Sequence, residues 1–145
     1  MQIPCEIYFF SKMKLKQKSA FNAEASKLLI KNSYYAPSVH CSYYSVFQLM
    51  KVAMKEFNGV DYNTIDINVA SSKSSEHKYI HTEILKLIKN NDYSEYSKMS
   101  RYIKDLYQFR ITSDYKNEEV SFEKATKANK YSQELIFYIK ENFHV

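Results

Sequence analysis

The chain has 145 residues and a formal net charge of +5, from 21 lysines and arginines against 16 aspartates and glutamates. One glycine and two prolines leave too few positive-φ and abrupt-turn positions for an all-β or tight-turn α/β fold, and Gly59 alone builds no glycine-rich phosphate loop. Cys5 and Cys41 make neither a disulfide framework nor a CxxC pair, and no stretch approaches the roughly 20 apolar residues of a membrane-spanning helix.

A chain of this length suits one domain that buries roughly 68% of its unfolded surface. Residues 1–13 read as an N-terminal extension and residues 14–145 as a helical body. The run from Ile3 to Phe10 contains Glu6 and lacks a basic leader, so a cytoplasmic location without membrane attachment is expected. The basic residues are spread along the chain, which reads mainly as the solvated faces of helices and is compatible with an acidic partner such as RNA.

Apolar spacing predicts a first helix over about 14–31, with Phe21, Ala25, Leu28 and Leu29 facing inward. Pro37 suits the first turn of a second helix, 37–57, on which Val39, Tyr43, Val46, Phe47, Met50, Ala53, Met54 and Phe57 recur at steps of three and four. Asn58 and Gly59 should end it. Residues 60–74 are the least regular stretch. Their serine-rich end is expected to be mobile, and the alternation of Ile65, Ile67 and Val69 favours a short extended segment. Further helices are expected over 75–90, 94–113 and 121–142, the last facing Phe122, Ala125, Ser132, Leu135, Ile136, Ile139 and Phe143 inward. Five helices with short turns make an all-α, antiparallel up-and-down bundle.

Arg110 is the anomaly in this pattern. At a hundred degrees per residue it continues the apolar line of Met99, Ile103 and Leu106. A guanidinium on a core stripe is costly unless paired. Asp114 lies one turn on, followed by Tyr115, so a structural ion pair and an anion-binding site both fit. His77 and His81 share an arc with Ile80, Ile84 and Ile88. Their HxxxH spacing is not the HExxH of zinc hydrolases and lacks further ligands, so core histidines bonded to tyrosines or Asp114 are expected, with no metal and no cofactor. Tyr43 faces the core and Tyr44 flanks it, within reach of Arg110 or His77. His40, Cys41 and Ser42 are too close in sequence to pair as nucleophile and base on one helix.

The order and spacing of these pieces resemble the HEPN superfamily of helical bundles, in particular its small stand-alone members. In that pattern an early helix reads as alanines and leucines, a second carries a YYA-like element, a His-Lys pair opens the third, and R-x-x-A-D-Y closes the fourth. The corresponding residues are Ala25 to Leu29, Tyr43-Tyr44-Ser45, His77-Lys78 and Arg110 to Tyr115, with Ser45 and Ser113 in place of alanines. The resemblance covers about residues 14–143.

It implies a bundle that often forms homodimers and that binds a nucleotide, RNA or a minimal nucleotidyltransferase in toxin–antitoxin or phage-defence pairs. Ribonuclease members carry R-x4-6-H. Arg101 and Arg110 are the only arginines here, and no histidine follows either at that distance. A non-catalytic binding module is therefore expected, its polar cluster made of Arg110, Asp114, Tyr115, His77, His81, Tyr43 and Tyr44. The rival is a metal-independent ribonuclease toxin in which folding brings His77 or His81 to Arg110.

Overall fold

The computed structural model describes residues 14–145, and the expectations for residues 1–13 and Cys5 lie outside them. Six helices follow one another: α1 (Leu15–Lys31), α2 (Tyr35–Glu56), α3 (Tyr62–Ser71), α4 (Glu76–Asn91), α5 (Tyr93–Tyr115) and α6 (Phe122–Phe143). There is no strand among the described residues. Four helix starts are fixed by side chains that accept from otherwise orphaned backbone N–H groups. Asp61 accepts from Thr64 at 2.8 Å, Ser75 from Lys78 at 3.2 Å, Asp92 from Ser94 at 3.0 Å, and Ser121 from Lys124 at 3.1 Å. Gly59, at φ 70°, turns the chain out of α2.

Three local expectations are corrected. The 60–74 segment is mostly helix, because Asp61 caps it and Ile65 and Val69, four residues apart, put their side chains on one inward face. Ile65 is fully buried, whereas Ile67 points outward. The apolar face predicted for α1 is not its buried one. Ser19 and Ser26 are buried instead, while Phe21 and Leu28 are exposed and Ala25 and Leu29 only half-buried. Phe122 and Phe57 are also exposed, each standing at a helix end where the bundle no longer covers it.

The α1 correction has a packing cause. Small side chains let two helix backbones approach closely, and serine hydroxyls then bond across the gap. Ser19 Oγ donates to the Ser45 carbonyl at 2.6 Å, Ser26 and Ser42 share a 2.5 Å hydroxyl contact, and Asn129 of α6 donates to Ser26 Oγ at 3.0 Å. Ser19 faces Ser45 while Ser26 faces Ser42, so α1 and α2 run antiparallel. α5 and α6 do likewise, with Lys98 against Glu134 and Phe109 against Lys124.

α2 is the central element. Val39, Tyr43, Val46, Phe47, Leu49, Met50, Val52, Ala53 and Met54 are all buried because α1, α4, α5 and α6 surround it. Ile80, Ile84 and Ile88 of α4 and Leu135 and Ile139 of α6 close the core, each contributing about 1.5–3 kcal/mol by burial. No helix among the described residues is long and apolar enough to cross a membrane. What α2, α4 and α5 bring together at one end of the bundle is polar.

Candidate functional site

Met99, Ile103, Leu106 and Arg110 form the predicted stripe, and all four are buried. The Arg110 side chain is only 4% exposed. Its guanidinium carbon lies 5.1 Å from the ring centre of Tyr43, 5.3 Å from Tyr107, 5.5 Å from Tyr115 and 5.7 Å from Tyr44. Four electron-rich faces thus replace much of the water the cation loses.

Its hydrogen bonds determine the protonation of everything behind it. Arg110 Nη1 donates to Tyr115 Oη at 3.3 Å, and Nη2 lies 3.3 Å from His77 Nε2. A guanidinium only donates, so His77 Nε2 is the acceptor and the imidazole proton sits on Nδ1. That Nδ1 donates to Tyr43 Oη at 2.7 Å, and the tyrosine proton goes to His81 Nε2 at 3.0 Å. The result is a one-way chain from Arg110 through His77 and Tyr43 to His81. Burial, with the charge of Arg110 adding to it, holds His77 below the usual imidazole range. Burial first, then His77 and Arg110, lowers His81 to about 4. Burial outweighs the attraction of Arg110 and drives the Tyr43 hydroxyl well above the ordinary tyrosine range. Both histidines are therefore neutral and Tyr43 protonated near pH 7, as the hydrogen-bond chain requires.

Of the two partners expected for the core histidines, Tyr43 is the one they bond, and Asp114 is not. It bonds neither His77 nor His81; its Oδ2 lies 2.9 Å from His40 Nδ1 and 3.9 Å from Arg110 Nη1. The second distance is a charge contact without a hydrogen bond. His40 tilts over Tyr44 with ring centres 4.6 Å apart, and its side chain is 47% exposed. Beside this pair opens a shallow hollow of about 530 Å3, lined by Ala36, Pro37, His40, Cys41, Ser113, Asp114 and Tyr115. Burial, then the charge of Asp114, raises the Cys41 thiol, which makes it a poor nucleophile. Arg110 Nε and Ser113 Oγ are buried without a hydrogen-bond partner.

The structure thus brings all seven predicted residues into one cluster, with Tyr115, 72% exposed, at its rim. His40 and Tyr107 belong to it as well. Tyr107 carried a readable signal, three residues before Arg110 on the same helical face. His40 precedes Tyr43 and Tyr44 by three and four positions, but its partner Asp114 is 74 residues away and only folding reveals the pair. No group of three or more histidine, cysteine, aspartate or glutamate side chains among the described residues could hold a metal ion. His77 and His81 instead converge on the Tyr43 hydroxyl.

Comparison with curated proteins found no match. The family model described as the HEPN domain matches residues 13–142, a span that contains five helices whole, α6 up to its last residue, and every residue of the cluster. This chain belongs to the HEPN domain family.

Proposed function

We propose that the chain is a non-catalytic HEPN module that recognises an anionic partner at the hollow beside Arg110. The partner is a nucleotide, an RNA or a nucleotidyltransferase presenting such a group, within a toxin–antitoxin or phage-defence pair, and the module acts as a homodimer. The observation that carries this reading is the unfinished hydrogen bonding of a buried guanidinium. Of its five N–H donors, one serves Tyr115 and one His77; Nε has no partner, and Asp114 stands beyond hydrogen-bonding distance. Arg110 lies behind the lining of the hollow, so a phosphate or carboxylate entering it meets the orphaned Ser113 hydroxyl first and completes the guanidinium's set only by passing Tyr115. Entry requires Tyr115, the exposed last residue of α5, to swing aside.

The ribonuclease reading is favoured by one distance, the 3.3 Å between Arg110 Nη2 and His77 Nε2. Against it stands the occupation of that lone pair by the guanidinium and of His81 Nε2 by Tyr43. Neither imidazole then offers a free base to a ribose 2′-hydroxyl. Equilibrium binding of ATP, of a labelled RNA oligonucleotide and of a minimal nucleotidyltransferase, compared between wild type and Arg110→Met, tests the proposal. At least tenfold weaker binding by a folded variant is expected. Absence of binding to all three, or RNA cleavage in EDTA that Arg110→Met abolishes, overturns it.

A further inference from the structure

At the other end of α5 lies a second concave surface that the Arg110 cluster does not use. Glu95 and Arg110 are fifteen positions apart on one helix, which separates them by roughly 22 Å along its axis. The groove, about 440 Å3, runs between the start of α5 and the second half of α6. Its floor is apolar: Met99 and Tyr138 are buried, and Phe137 stands at the edge, 69% exposed. A single exposed ring is ordinary on a protein surface; Phe137 matters here because it continues the apolar floor of a concave surface, where a partner's side chain can meet it.

The rim carries the sign opposite to that of the chain. Asp92, Glu95 and Glu134 line it against the single ammonium of Lys98, although the whole chain has a formal charge of +5. Two of the carboxylates have a local role at the start of α5, where Asp92 accepts from the Ser94 and Glu95 amides and Glu95 sits in the positive first turn. Glu134 has no such role. It comes from α6 and faces Glu95 across the groove, with Lys98 bridging them at 3.5 Å from Glu95 and 3.4 Å from Glu134. Both contacts are longer than a charge-assisted hydrogen bond of about 2.8 Å, and the lysine is itself exposed at 43%. It is a loose placeholder that another cation can displace from the same two carboxylates.

We infer that this groove docks a basic linear segment of a partner protein, in which one apolar side chain enters against Phe137, Tyr138 and Met99 while flanking lysines or arginines pair with Glu95, Glu134 and Asp92. The volume is in the range of ligand clefts, roughly 300–1,000 Å3, enough for one aromatic or leucine side chain and part of the adjoining backbone. A methionine floor accepts more than one anchor shape. Charge complementarity separates this partner from the anionic one of the Arg110 hollow, so the two surfaces read opposite chemistries at opposite ends of one helix.

The test uses the whole chain and four labelled pentapeptides: Lys-Lys-Phe-Lys-Lys, Lys-Lys-Leu-Lys-Lys, the anchorless Lys-Lys-Ser-Lys-Lys, and the charge-reversed Glu-Glu-Phe-Glu-Glu. Fluorescence anisotropy gives affinities, and the Met99 methyl signal reports occupancy of the groove. Both anchored basic peptides should saturate below about 1 mM, at least tenfold tighter than either control (that factor being about 1.4 kcal/mol), and should move the Met99 signal. Phe137→Ser and the double change Glu95→Lys with Glu134→Lys should each weaken them at least tenfold. All three positions are at least partly exposed, and circular dichroism verifies the fold. Arg110→Met should leave these affinities unchanged, which keeps the outcome distinct from that for the anion site. The inference is overturned if neither anchored peptide binds, if the controls bind equally, or if the same substitutions abolish self-association of the chain, which would make a second copy the occupant.

Discussion

Replacing Tyr43 by phenylalanine probes the hydrogen-bond chain with little change of shape. The hydroxyl is buried in a residue only 2% exposed and serves two imidazoles, accepting from His77 Nδ1 and donating to His81 Nε2. Its removal costs two hydrogen bonds of about 1 kcal/mol net each and strands two ring nitrogens at about 1–3 kcal/mol per unsatisfied buried group. His77 is half-buried and recruits water, so its share is small. His81 lies deeper, and its share is near the full value. A total of about 3 kcal/mol follows, equivalent to a Tm lower by about 10 °C for a chain of this size. Urea denaturation at pH 7.5 followed by circular dichroism should show this loss with an unchanged m-value. Tyr44→Phe is the control, because the Tyr44 hydroxyl makes no hydrogen bond among the described residues, and it should stay within about 0.5 kcal/mol of wild type. A Tyr43→Phe protein as stable as that control would refute the assigned chain.

Acid should destabilise the fold before its carboxylates titrate. His81 titrates near 6.5 when unfolded and at about 4 when folded, so the unfolded state binds more protons between those values and stability falls as pH drops through that window. The loss is on the order of 3 kcal/mol, and His77, also held low, adds to it; urea midpoints measured from pH 7.5 to 4 in wild type and His81→Phe should differ in slope. Arg110→Met should remain folded and within about 2 kcal/mol of wild type, because Asp114 keeps His40 as a partner and is not left as a bare buried charge. Arg110→Lys should be worse for stability, since a point ammonium cannot span Tyr115 and His77 together, and a comparison of the two thermal melts decides it. Ser26→Leu forces a large side chain into the closest approach of α1 and α2 and should cost at least 2 kcal/mol in urea unfolding, in the range of overpacking penalties of about 1–3 kcal/mol plus the lost bonds to Ser42 and Asn129. Asp61→Ala should lower the urea midpoint through the lost cap of α3 and leave binding at the Arg110 hollow unaffected.

Much of the molecule is determined locally and is legible without the fold. Helices α2, α4, α5 and α6 follow from apolar residues repeating every three or four positions, and their ends from Asp92, Ser75, Ser121 and Gly59, because periodicity and capping act within a few residues. Arg110 declared itself by the same logic, as a charge on a line of core side chains. The inward face of α1 could not be read this way, since hydrophobicity marks Phe21 and Leu28 while the close approach of α2 selects Ser19 and Ser26. The helix over Tyr62–Ser71 was hidden by an alternation of isoleucines and valine that fits a strand equally well, until burial of Ile65 against the core decided it. His40 meeting Asp114, and His77 giving its lone pair to Arg110 instead of a substrate, depend on three helices converging from distant parts of the chain. Spacing along one helix specifies which side chains share a face, but only the packing of helices specifies what that face meets.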